Sequence, residues 1–110
     1  MNDLITTTTS SIEGRPIAEY LGVVSGEAII GANIIKDIFA SIRDVVGGRS
    51  DSYERVLREA RQEALVELQE RALENGADAI VNLRFDYESL GTNGAMLMVI
   101  ADATAVKLEG

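Results

Sequence analysis

The chain contains neither cysteine nor histidine. Disulfides, thiolate nucleophiles, imidazole acid–base catalysis and every soft or borderline metal ligand except methionine are therefore excluded, and zinc-finger and Ser-His-Asp readings go with them. Cations are scarce too: 10 Lys and Arg stand against 18 Asp and Glu, a formal net charge of −8 at pH 7. Such a charge repels phosphate backbones and anionic lipid surfaces unless the cations cluster. They do not cluster in sequence, so neither nucleic acid nor membrane is an expected partner. No run approaches eighteen consecutive apolar residues, and the start MNDLITTTT lacks the basic and apolar segments of a signal peptide. A soluble, cytoplasmic protein is the expectation.

What remains is 110 residues, 46% of them hydrophobic, enough for a single domain over 1–110 that buries about 60 to 70% of the surface of the unfolded chain. Ile5 to Thr8 is a short β-branched run, and Glu13-Gly14-Arg15-Pro16 is expected to turn it as a hairpin into a second strand, Ile17 to Ala28. Gly22 and Gly26 interrupt that strand and predict a bulge or a close backbone approach. Asn33 is the expected N-cap of a first helix with Ile34, Ile35, Ile38, Phe39, Ile42, Val45 and Val46 as its apolar stripe, ended by Gly47-Gly48.

A second, longer helix opens near Ser50, where Asp51 and Glu54 have capping-box spacing. It buries Tyr53, Val56, Leu57, Ala60, Ala64, Leu68 and Ala72, and Asn75-Gly76 stops it. The alternation of Ala79, Val81, Leu83, Phe85 and Tyr87 with Ile80, Asn82, Arg84, Asp86 and Glu88 predicts a strand with one buried face. A turn at 90–94 leads into a last strand, Ala95 to Leu108. The expected fold is α+β: two layers, an antiparallel sheet of about four strands in the order β-β-α-α-β-β, packed on one long and one shorter helix, as in a dodecin-like subunit.

The last strand is apolar on both faces. Leu97, Val99, Ala101 and Ala105 point one way, and Met96, Met98, Ile100, Val106 and Leu108 the other. One helical layer covers one side of a sheet, and no further element is expected to cover the second. At about 25 cal/mol per Å², leaving several such side chains in water forgoes several kcal/mol. A homo-oligomer that covers them is the expected partner.

Five blocks carry a resemblance over nearly the whole chain: IEGRPIAEYLGVVSGEAIIGAN at Ile12–Asn33, SGEAIIGANIIKDIFASIRDVVGGRSDSYE at Ser25–Glu54, IRDVVGGRS at Ile42–Ser50, NGADAIV at Asn75–Val81 and NGAMLMV at Asn93–Val99. They resemble the YbjQ-like family, small bacterial and archaeal proteins of unknown activity, some of them labelled heavy-metal-binding. The resemblance implies α/β subunits assembled as a pentameric ring. That number comes from the resemblance, and composition and periodicity do not supply it.

Candidate sites follow from residue chemistry. Gly47-Gly48-Arg49-Ser50 before a helix could present N–H groups to an anion, but no GxxxxGK[ST] pattern is present and Asp51 opposes a phosphate there. Glu27, Arg43, Asp44 and Arg49, with Ser50, form a candidate binding cluster in which a carboxylate meets an Arg fork, with a structural ion pair as the competing reading. Asp86, Glu88 and Asp102 could share a strand face. They offer oxygen ligands suited to hard cations, and a solvated face is the better reading. Met96 and Met98 are two thioethers, better read as packing than as a Cu(I) site. No metal site, cofactor or catalytic residue is expected: GxSxG, HExxH and kinase patterns are missing. The first functional reading is a non-catalytic ring protein with an inter-subunit surface for a small ligand or a protein. The alternative is a heavy-metal-binding or metal-responsive protein. A small enzyme using Asp86 and Glu88 as acid and base comes third.

Overall fold

The computed structural model describes residues 4–42, 51–91 and 96–110, and of residues 38–42, 51 and 52 only the backbone. The elements are β1 (Ile5–Thr6), β2 (Ile17–Ile30), α1 (Ala32–Ile42), α2 (Asp51–Glu74), β3 (Ala79–Leu90) and β4 (Met96–Leu108). They form one sheet in the order β1-β3-β4-β2, with the helical layer on one face. The β-β-α-α-β-β layout is the expected one. Among the described residues no helix is long and apolar enough to cross a membrane.

The expected hairpin between the first two strands does not form. A tight turn does occur at Glu13-Gly14, where Arg15 N donates to Ile12 O at 3.0 Å and Gly14 takes a positive φ of 79°. The chain then leaves for the opposite edge of the sheet. β1 pairs in parallel with β3, Ile5 opposite Ala79, whereas β2 pairs antiparallel with β4. The sheet is therefore mixed. The physical reason lies in the ten residues between the strands, which cross over the sheet and pack Ile12, beside Ile17 at the start of β2 and Leu108, against Ala79, Val81 and Val106. This corrects a second expectation: the chain does hold a spare element, and it covers one end of the face opposite the helices.

β3 departs from simple alternation. Its register against β4 shifts between Val81 and Arg84, and Asn82 sits at φ 57°, a left-handed conformation that asparagine tolerates better than most side chains. Ala79 and Val81 consequently face the crossover arm, while Ile80, Leu83 and Phe85 face the helices. The stripe read from the sequence as one face is split between two. The arm holds the irregular stretch: Asn82 N donates to Thr9 O at 2.9 Å and Leu83 N to Thr7 O at 3.1 Å.

α2 supplies the helical side of the core. Ala60, Ala64, Leu68 and Ala72 are buried against Val24, Ala28, Ile30, Val99, Ala101 and Ala105, and Val56 and Leu57 pack at its margin. Its end matches the expected stop. Ala77 N donates to Ala72 O at 3.0 Å and Gly76 N to Leu73 O at 3.0 Å, with Gly76 at φ 81°; this is the paired-bond arrangement that satisfies the last carbonyls of a helix.

α1 begins two residues earlier than expected. Ile35 N donates to Gly31 O, so Gly31 is the capping position and Asn33 lies inside the first turn. Ile35 packs on the core, but Ile34, expected in the apolar stripe, is exposed. The expected stop at Gly47-Gly48 and the rest of that stripe lie outside the described side chains.

Candidate functional site

β2 is an edge strand, so its outward N–H and C=O groups need partners other than a neighbouring strand. Between Ser25 and Glu27 they find them on α2. Glu27 N donates to Glu67 Oε1 at 3.0 Å, and Arg71 Nη1 donates to Ser25 O at 2.6 Å. The same guanidinium lies 3.4 Å from Glu27 Oε2 and 3.3 Å from Glu67 Oε1. Helix and strand can come this close because residue 26 is glycine. A Cβ there would run into the carbonyl oxygen of Ala64 and stand 2.7 Å from Leu68 N. The sequence reading of Gly26 as a close approach is thus met, and Gly22, at φ 113° beside a register shift, marks the bulge.

Glu27 is the one residue of the candidate binding cluster within the described residues. Arg43, Asp44, Arg49 and Ser50 lie outside them. Glu27's arginine is Arg71, which by spacing alone pairs with Glu67 at i,i+4 along the helix. The signal that could have found it was Gly26 itself: if a helix touches the strand at Gly26, residues one turn along that helix reach residue 27. The cluster is half exposed and closed upon itself. A carboxylate pair held by one guanidinium and two backbone groups acts as a clasp between helix and strand.

The face opposite the helices has a polar band across its middle. By register Arg84 stands opposite Asp102 and Ser25 opposite Asp102 on the other side, with Asp86 and Glu27 in the next row flanking Ile100. Arg84 lies 3.2 Å from Asp86 Oδ2 and 3.8 Å from Asp102 Oδ1. The sequence expectation that Asp86, Glu88 and Asp102 share a face holds, and the intervening arginine pairs with the two aspartates that come nearest, offsetting one of their two charges. Among the described residues no group of three or more Asp, Glu, His or Cys is placed to hold a metal ion. Met98 lies opposite Ile29 and Glu88, and Met96 opposite Leu90. Two methionines whose cross-strand neighbours are Ile29, Leu90 and the hard carboxylate of Glu88 do not make a shell for a soft metal.

Around that band the face is apolar, and its most exposed part is β2. Val23 is 81% exposed, Tyr20 69% and Ile29 59%. Met96, Met98 and Ile100 are half-buried within the one chain. The sequence reading located the uncovered apolar surface on the last strand; the structure moves its centre to the neighbouring edge strand. A groove of about 390 Å³ also runs along the crossover arm, lined by Ile5, Thr7, Thr9, Ser11, Ile12 and Glu13. Its threonine hydroxyls are engaged within the arm: the Thr7 and Thr9 Oγ1 atoms are 2.9 Å apart, and Thr9 Oγ1 donates to the Ser11 carbonyl at 2.5 Å.

Two comparisons fit this geometry. A family model described as "Putative heavy-metal-binding" matches residues 4–109. A crystal structure of a DUF74-family protein of unknown function from Pediococcus pentosaceus ATCC 25745 superposes with a TM-score of 0.54, covering 96% of this chain and 98% of that one at 18% identity. At that identity the likeness shows the fold alone. Neither description names a reaction.

Proposed function

Since the chain belongs to the YbjQ family, whose activity is uncharacterised, we propose that it is a non-catalytic subunit of a homo-oligomeric ring, pentameric by family resemblance, acting in the cytoplasm. Its assembly creates an inter-subunit surface for a small ligand or a protein partner. The observation that carries this reading is the edge strand β2, which holds Tyr20, Val23 and Ile29 well exposed on one face. Exposed apolar side chains are ordinary when scattered, whereas Tyr20 and Val23 side by side on an edge strand, with Ile29 beyond the polar band on the same face, suit a contact surface.

The dimensions of the chain support the same reading. Its radius of gyration is 17.1 Å and its extents are 55 × 28 × 24 Å, against about 13 Å for a compact chain of about this length. Its accessible surface of 7128 Å² exceeds the roughly 5,900 Å² of a compact monomer of this mass. The surplus is of the order of what a stable interface takes from each partner, about 800 Å². Native mass spectrometry of the purified protein tests the proposal. A mass at an integer multiple of the chain, five on the family resemblance, with any retained small molecule visible as added mass, is the expected spectrum. A monomer at micromolar concentration overturns the proposal.

The family description favours a second reading, heavy-metal binding. It has to work without cysteine or histidine and with the nearest aspartates engaged by Arg84. Calorimetric titration of chelator-treated protein with Cu(I), Zn²⁺ and Ni²⁺ separates the readings. Absence of binding heat removes the metal reading, and a saturable stoichiometric signal replaces the first reading with it.

A further inference from the structure

The outward surface of α2 is divided lengthwise. Glu59, Glu63, Glu70 and Glu74 follow one line of the helix, all exposed to solvent. Beside them Gln62, Val66, Gln69 and Leu73, spaced i, i+4, i+7 and i+11, follow another without a single charge. Val66 is 40% exposed and Leu73 47%. The uncharged line runs on the β1 side of the helix, where Gln69 Nε2 donates to Thr6 Oγ1 at 3.1 Å. The clasp residues Glu67 and Arg71 run on the β2 side.

Among the described residues, apart from Ile29 beyond the polar band, two uncharged, partly apolar patches stand out. One is this stripe, in the helical layer towards the β1 edge. The other is Tyr20 and Val23, on the open sheet face at the β2 edge, in the opposite layer. We propose that the α2 stripe of one copy docks on the Tyr20–Val23 surface of the next, a head-to-tail contact; the inference rests on the assembly reading above and names the surfaces that meet.

Three observations favour this pairing. A two-fold contact covers two different patches only when both face the same neighbour, and these lie in opposite layers at opposite edges of the sheet, so it would cover one and leave the other in water. A head-to-tail contact covers both with one kind of interface, and it closes into a ring when the rotation allows. Charge selects the same surfaces, because chains of net charge −8 repel one another. Contact through two uncharged patches leaves the glutamate line in solvent, where its self-repulsion is screened. Backbone chemistry adds a reason for the glutamines. Along β2 the outward-facing groups alternate, as Ser25 and Glu27 demonstrate by bonding to α2, so the N–H and C=O of Val23 also face the free edge. A glutamine amide both donates and accepts, so Gln62 can satisfy those groups without bringing a charge into the contact.

The test uses Val66→Glu and Val23→Glu in the full chain, with native mass spectrometry for assembly and circular dichroism for fold. Both positions are exposed in the single chain, so both variants should fold. Leu73→Glu and Tyr20→Glu serve as second variants should either fail. Each variant alone should run as a monomer. An equimolar mixture should give a 1:1 pair and nothing larger, because each variant retains the patch that the other has lost. Assembly unchanged in either single variant overturns the docking assignment while leaving the assembly reading intact. A mixture that stays monomeric overturns it as well. A monomeric wild-type chain instead overturns the assembly reading on which this inference rests.

Discussion

At Gly26 a helix and a strand touch through their backbones, and one hydrogen atom in place of a methyl group sets their separation. The atoms that a Cβ would meet are the carbonyl of Ala64 and the amide of Leu68, main-chain groups in mid-helix that cannot rotate aside. Gly26→Ala should therefore push α2 off β2 and cost about 2 to 3 kcal/mol, in the range of overpacked cores. A lower urea midpoint with an unchanged slope is the expected result, and an unchanged midpoint would show that the approach is looser than the structure has it. Asn82 presents the opposite case, strain carried by dihedral and not by crowding. At φ 57° a β-branched residue meets the left-handed penalty of about 1 to 2 kcal/mol, so Asn82→Val should destabilise by about that amount. Asn82→Gly should be tolerated within about 0.5 kcal/mol. Equal midpoints for the two variants would contradict the assigned backbone.

Between α2 and β2 the contact is both apolar and polar, and its polar part closes the sheet edge. Glu67 accepts the outward N–H of Glu27, so Glu67→Ala should leave that amide to water. Hydrogen exchange at Glu27 should accelerate while the amides of Ala101 and Ala103, deep in the sheet, keep their protection. Equal rates in wild type and variant would mean the clasp does not form in solution. The sequence made α2 legible because every cue agreed: an apolar stripe at 60, 64, 68 and 72, acids at its start and Asn75-Gly76 at its end. The two faces of β4 were equally legible, since period-two alternation survives intact from Met96 to Leu108. β3 was not, because one left-handed residue at Asn82 exchanges the faces beyond it, and a linear pattern carries no mark of where a strand changes phase. Nor was the partner of β1. The run Ile5 to Thr8 looks the same whether it returns in a hairpin or crosses to the far edge, and the deciding contacts of Ile12 and Ile17 with Val81 and Val106 are distant in sequence. Of the candidate cluster, Glu27 was legible by residue type. Its true arginine was hidden because Arg71 already had a local partner in Glu67.

For the whole molecule the dominant long-range term is its charge, and the sign of its effect on assembly follows from which surfaces meet. If subunits joined through ion pairs, added salt would screen the attraction and loosen the ring. If they join through uncharged patches on chains of net charge −8, salt screens only the repulsion. The Debye length falls from about 30 Å at 0.01 M to about 10 Å at 0.1 M and about 3 Å at 1 M. The first is comparable to the 28 Å width of the chain, so neighbouring glutamate lines feel one another fully at low salt and barely at high salt. Assembly should therefore tighten as sodium chloride is raised from 0.01 to 0.5 M. Light scattering on a dilution series should show the concentration at which the oligomer comes apart moving to lower values, with most of the change complete by about 0.15 M, where the screening length is already about 8 Å. Dissociation that becomes easier with salt would place charged groups in the contact and rule out an interface built from Tyr20, Val23, Val66 and Leu73.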